Sequence, residues 1–299
     1  MLTSLKASSF LWIILFRLRR TMFVVAVYVL LICWLDNEFQ LETLKFPVGL
    51  ITVFGTVVSL LITFRTNSSY SRWWEARILW GAIVNDSRSW TRQLLSLTKN
   101  ADRETIQKMS WRQIAWCFAL SRSLRKQDAF QDLDSLIEPD ELATYRKVLN
   151  VPNAILRRQA EDLRELHQAG HLETYSFIEL ERTLVRLTNH MGGCERIKNT
   201  PFPVSYSLMV HLAVYIFVVM LPFGLVDTPP LALAALSISI AFAFLTIESV
   251  AIFLQDPFSG SASDTPTLAL SRTIEINLRQ MLEEADVPDV MQPVNGQLD

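Results

Sequence analysis

Catalysis or metal binding needs ionisable side chains gathered at workable spacings, and this 299-residue sequence offers few such groupings. His167 and His171 stand at i and i+4 near a helix end, where two imidazoles could share a metal, but no third ligand accompanies them and a solvated face is the plainer reading. Asp132 and Asp134 sit in a charged linker without the apolar surroundings that would raise a carboxyl. Cys33, Cys117 and Cys194 are odd in number and far apart, which supports neither a disulfide framework nor a zinc site. No GxSxG, Walker-type glycine loop or HExxH occurs. The sequence argues against an enzyme and points to no cofactor and no metal.

Two ionisable residues draw notice because of their apolar surroundings. His211 is the one ionisable side chain besides tyrosine in Pro203–Val226, and Glu248 follows the charge-free run Leu231–Ile247. Ionisable groups inside membrane segments are often functional. His211 is therefore a candidate proton relay, with a packed or interfacial histidine as the alternative. Glu248, near the end of its run, is expected to meet headgroups, solvent or a nearby arginine.

Those runs are the elements that must position any such group. Phe46–Phe64 is nineteen residues without a charge, and at about 1.5 Å per residue it reaches roughly 28 Å, close to the thickness of a bilayer's hydrocarbon core. Along it Thr52, Thr56, Ser59, Thr63 and Thr66 recur at helical spacing, so one face carries hydroxyls. Such a face either packs closely on another membrane helix or, repeated about a symmetry axis, lines a water-filled path. Met22–Leu35 is a shorter apolar block preceded by SFLWIILF and Arg17, Arg19 and Arg20, which predicts a helix on the inner membrane surface followed by a first span. Pro203–Val226 and Leu231–Ile247, joined by Asp227–Pro230, predict a hairpin of two more spans. The cationic segments 17–20 and 65–77, set against the acidic stretch 36–45, place the N-terminus in the cytoplasm. Arg72, Trp73, Trp74 and Trp80 suit the inner interface, where indoles settle and arginines snorkel.

Half the residues are hydrophobic while 19% are charged, and mean hydropathy is +0.24, as expected of membrane blocks joined to a soluble one. The net charge of -2 gives no support to a nucleic-acid partner. The predicted organisation is an all-α membrane protein. Residues 1–75 hold an interfacial helix and spans at about 22–35 and 46–64; 76–202 form a helical cytosolic domain; 203–254 form spans three and four; 255–299 form a cytosolic loop, a returning helix and a tail. Within the soluble block Phe177, Leu180, Leu184, Leu187 and Met191 make a packing seam on a helix over 173–192, and Ile178 and Val185 fall beside it. Ile274, Leu278, Met281 and Leu282 mark an amphipathic helix that docks on this block.

The second span running into Phe64, Arg65 and Asn67, then YSRWWEAR with Trp80 and Gly81, GGCERIKNTPFPVSY at 192–206, DPF at 256–258 and RTIEINLRQML at 272–282 occur in one order along the chain. Together they resemble the bestrophin family, in its bacterial branch. The resemblance implies a homopentameric ion channel with one central pore. It also implies a narrow neck at Thr56, Leu60 and Phe64, where Thr56 is polar against the family's usual aliphatic residue, and a cytosolic aperture at Ile178. Animal members carry an acidic calcium clasp after the DPF motif. Here Ser259, Ser261, Ala262 and Ser263 replace most of it and Asp264 remains, so no calcium activation through this site is expected. Animal members favour anions and some bacterial members conduct cations. For this chain the acids Asp36, Glu38 and Glu42 in the outer loop favour monovalent cations, conducted passively through the inner membrane with both termini cytoplasmic. The competing classes are a secondary transporter coupled through His211 and Glu248, against which no inverted repeat is seen, and a non-conducting membrane scaffold.

Overall fold

The computed structural model describes residues 7–39, 45–99, 101–200, 202–261 and 264–293, with side chains from Ile14 onward. Among these residues the regular elements are nine α-helices and one short 3-10 turn. The described residues divide into two compact units, those within 7–73 and 202–256 and those within 74–200 and 257–293. Helix α2, Val48–Leu97, is continuous and is divided between them after Trp73.

The first unit is apolar. Helix α1, Ala7–Phe39, is one uninterrupted helix where the sequence suggested a surface helix followed by a short span. No glycine or proline falls within it to end the first segment. It buries Ile14, Leu18, Val25, Val29 and Ile32 and packs on α8, while Phe23, Val24, Leu30 and Leu31 are exposed. Helix α7, Val204–Met220, leads through the 3-10 turn Leu221–Gly224 to α8, Pro230–Leu254, the hairpin expected. Pro230 opens α8 at a position where its missing N–H costs no hydrogen bond. Lys45 bonds Asp227 at 2.8 Å, and the Tyr28 hydroxyl donates to the Val219 carbonyl at 2.8 Å. Gly55 permits a close approach of α2 and α7, since a Cβ there would lie 2.9 Å from Cε2 of Phe217. Among the described residues four helices, Ile14–Phe39, Val48–Leu97, Val204–Gly224 and Pro230–Leu254, are long and apolar enough to cross a bilayer. The protein is a membrane protein.

The second unit packs the later half of α2 with α3 (Arg103–Leu124), α4 (Pro139–Tyr145), α5 (Val151–Gln168), α6 (Thr174–Asn199) and α9 (Thr267–Met281). Asp102 caps α3 and Asn150 caps α5 through side-chain acceptors, and Pro139 and Pro152 occupy first turns. Gly170, at φ +80°, ends α5 in the left-handed conformation that glycine adopts without strain. Leu180, Leu184, Leu187 and Met191 are buried as the seam predicted, and α6 continues through Gly192 and Gly193 to Asn199. On α9, which packs on α3, Ile274 and Leu278 are buried. Trp80 is fully buried here beside Trp90 and Trp116 in the same core, so it belongs to the helical core and not to a membrane interface. It falls on α2's inward stripe, one helical turn beyond Ala76.

A buried cation ties three of these helices. Arg112 on α3 forks onto Glu141 of α4 at 2.5 and 2.8 Å and also binds Asp162 of α5. Burial alone would raise Glu141, but hydrogen bonds from Arg112 and Tyr145 outweigh it and hold the carboxyl below its ordinary value. Asp162 is pushed up, chiefly by burial, against the pull of Arg112 and Arg158. Glu141 thus contributes stability above the ordinary carboxyl value that is lost as pH falls through its lower folded value, and Asp162 works in the opposite sense. Arg112→Ala takes the shared cation from buried Asp162, which keeps only Arg158, and from the partly buried Glu141, and is expected to cost about 3 kcal/mol at pH 7, the low end for breaking a buried pair. Thermal unfolding of the detergent-solubilised protein checks this, and the deficit should narrow toward about pH 4, where the orphaned carboxylates take up protons.

Candidate functional site

In the apolar unit α2 turns two unlike faces outward and inward. Ile51, Val58, Ile62, Arg65 and Ser69 are buried. Thr56, Leu60 and Phe64 are exposed, Leu60 by 54% and Phe64 by 64%. At about 100° per residue the second set lies roughly opposite the first on the helix. The three residues of the expected neck therefore form a file, one turn apart, on the side of the helix that its own chain leaves uncovered.

The hydroxyl residues in and beside this file bond within their own helix. Thr52, Thr56, Ser59, Thr63 and Thr66 each donate to the carbonyl four residues back, at 2.7–2.9 Å. Their protons are thereby committed to the backbone, and what remains outward is the oxygen's acceptor capacity.

On the buried side Arg65 and Glu248 form an ion pair at 3.3 Å, with side chains 2% and 3% exposed. Arg65 also donates to Ser207 Oγ at 2.7 Å, and Nδ1 of His211 lies 2.8 Å from the same Oε1 of Glu248. The arginine expected near Glu248 is thus Arg65, which the sequence placed among the cationic residues of the inner interface and which is buried instead. A signal was present: Arg65 shares the helical face of Val58 and Ile62, and Glu248 is the one acid of α8. His211, half exposed, rests its ring against Tyr215 at 4.6 Å between centroids.

Arg72 donates to the Gln255 carbonyl at 3.1 Å, Trp73 lies 5.8 Å from the Tyr70 ring, and Trp74 is half exposed. In the second unit Ile178 is 39% exposed on α6, in one file with Arg182, Val185 and Asn189 on the side away from the buried seam. His167 bonds the Leu172 carbonyl at 2.8 Å and stacks on Phe177, whereas His171 bonds the Lys99 carbonyl at 3.0 Å. The two imidazoles serve separate backbone acceptors. Asp132 pairs with Arg122 at 2.6 Å. Burial pushes the Cys117 and Cys194 thiols up to about 12, which leaves them unreactive as nucleophiles near neutrality. Asp264 accepts from the backbone N–H groups of Gly260 and Ser261, at 2.7 and 3.1 Å, and from the hydroxyls of Ser259 and Ser261. Its oxygens hold a loop closed. Ala262, Ser263 and Glu42 lie outside the described residues.

The sequence matches the family described as Bacterial/Fungal Bestrophin protein over residues 5–280. It is 35% identical over 266 residues to a voltage-dependent anion channel-forming protein of Ralstonia nicotianae, covering 86% of this chain and 82% of the relative. It is 33% identical over 250 residues to the voltage-dependent anion channel-forming protein YneE of Escherichia coli, covering 84% and 82%. The fold is similar to that of a crystallised bacterial bestrophin homolog from Klebsiella pneumoniae, with a TM-score of 0.84 at 28% identity over 89% of this chain and 98% of that one. A match across nearly the whole length, on a chain with four bilayer-length helices, establishes that this protein belongs to the bacterial bestrophin family of ion channels.

Proposed function

We propose that the chain assembles as a homopentamer in the cytoplasmic membrane, both termini cytoplasmic, and conducts monovalent ions passively through one central pore. The observation that carries this reading is the exposed file Thr56, Leu60 and Phe64, opposite the buried stripe of a bilayer-length helix. Five copies about an axis turn that file into three stacked rings. Two of them are apolar, and a narrow apolar bore resists ions because they must shed water to pass. Ile178 supplies a further apolar ring, a second constriction, in the helical cytosolic domain, and Arg72, Trp73 and Trp74 anchor the inner interface. The domain boundaries follow the same plan, residues 1–75 and 203–254 in the membrane and 76–202 and 255–299 in the cytosol.

For ion sign the reading is cationic. Apolar rings do not discriminate by charge, but Thr56 offers an oxygen acceptor whose proton is already committed to Thr52. Asp36 and Glu38 close the last turn of α1 with negative charge. Acceptors and acids favour cations. The second reading, anion conduction, is supported by the Ralstonia and Escherichia relatives, which are named as voltage-dependent anion channel-forming proteins. Calcium plays no part in activation, because the carboxylate of Asp264 is occupied by donors from its own loop.

Single-channel recording in a planar bilayer under asymmetric salt tests the whole reading. Phe64→Ala is expected to enlarge the current about tenfold if the ring's removal lowers the barrier by about 1.4 kcal/mol. Assembled native and Phe64→Ala protein that passes no current overturns it in favour of coupled transport or a scaffold. In the same recordings the native reversal potential gives the ion sign, and chelation of calcium should leave the current unchanged. Thr56→Val, equal in shape but without the oxygen, should lower the cation-to-anion permeability ratio by roughly two- to tenfold, the worth of one ordinary hydrogen-bonding group; an unchanged ratio removes Thr56 from selectivity.

A further inference from the structure

Burying a guanidinium and a carboxylate among apolar side chains is costly, and well-packed apolar residues in their place are often at least as stable. Stability alone therefore does not account for Arg65 and Glu248, each almost wholly buried, in the membrane unit. Where buried ionic groups are kept, their best-attested use is to fix register. The geometry here suits that use. One guanidinium on α2 reaches Glu248 on α8 at 3.3 Å and Ser207 on α7 at 2.7 Å, so it ties the helix to two others at once. Its Nε–H, also buried, has no hydrogen-bond partner among the described residues. His211 on α7 lies 2.8 Å from the same carboxylate oxygen, and the Tyr206 hydroxyl donates to the Leu61 carbonyl of α2 at 3.3 Å.

Ile51, Val58 and Ile62 pack on the same face, but apolar contacts are non-directional and tolerate rotation of a helix about its axis. A planar, directional fork does not. Arg65 directly follows Phe64 and lies in the stripe opposite Leu60, so fixing Arg65 inward fixes Leu60 and Phe64 outward.

We propose that the contact of Arg65 with Glu248 and Ser207 is the positioning element of the neck: it sets the rotation of α2 about its axis and so keeps Leu60 and Phe64 turned to the conduction path. Arg65 acts through its neighbours and does not itself meet the ion. The proposal rests on the channel reading.

The test is a cysteine-accessibility comparison in channels reconstituted in bilayers, on a Cys33→Ala background, with a charged methanethiosulfonate reagent and the modification read as a change in current. In the native frame Leu60→Cys and Phe64→Cys should react and Leu61→Cys should not. In the double variant Arg65→Met/Glu248→Leu, which leaves no buried charge unpaired, the contrast between positions 60 and 61 should fall about tenfold while pentamers still form. Arg65→Lys keeps the charge but not the fork and should fail to restore the contrast. Ser207→Ala removes one hydrogen bond and keeps the ion pair, and should lower the contrast roughly two- to tenfold. If the double variant conducts with its contrast intact, the proposal is overturned and the pair is a structural ion pair only. If the double variant does not assemble, an unchanged contrast in Ser207→Ala overturns it equally. If the native frame carries no current, the channel reading fails and this proposal falls with it; if variants conduct with native contrast, the positioning role alone falls.

Discussion

A helix that enters hydrocarbon must satisfy every backbone N–H and C=O within itself, and the rest of this structure is arranged around the one helix that does so and then continues. Helix α2 runs from Val48 to Leu97 without a break. Its inward residues Ile62, Ser69, Ala76, Ile83 and Trp90 recur every seven positions across the point where the chain passes from one unit to the other. What changes along it is the outward side. Val53, Val57, Leu60 and Phe64 are exposed in the first half, Trp74 and Ile78 follow where the second unit begins, and Asn85, Arg92 and Ser96 are exposed beyond them. One periodicity specifies packing throughout, while the outer face is written for two solvents.

The same need for internal satisfaction explains how polar side chains are treated. The hydroxyls of Thr52, Thr56 and Thr63 close back on carbonyls of α2 and so add no unmet donor to its exposed apolar face. Arg112 in the helical unit and Arg65 in the apolar one are each matched by carboxylates from other helices. The imidazoles of His167 and His171 close the end of α5 and its following turn by bonding backbone carbonyls. Groups that suggested metal or acid chemistry by type turn out to terminate helices and hold loops.

Features governed by local periodicity were legible in the sequence. The spans, the α7–α8 hairpin, the seam of α6 and the docked face of α9 all follow from apolar spacing and from prolines and glycines at helix ends. The file Thr56, Leu60 and Phe64 was reached through resemblance, and its spacing alone did not choose between packing and a water-lined path. Features set by distant partners were not legible. Arg65 at the end of an apolar run has the appearance of an interfacial cation, and the acid that buries it lies 183 residues away. Trp80 follows two tryptophans of interfacial character, yet the helices that cover it come from later in the chain. The continuity of α1 was hidden because its arginines imitate the end of a surface helix, although no helix-breaking residue was present.

The exposed file on α2 has a genetic corollary. A single chain leaves this file on its outside, so under the proposed pentameric reading the bore would belong to no one polypeptide and would exist by closure of identical copies. Alleles expressed together would be drawn into shared rings, and one altered copy would sit in the same constriction as its normal neighbours. Under that reading variants along this file would be dominant in character, whereas variants that prevent a chain from folding would withdraw it from assembly and be recessive.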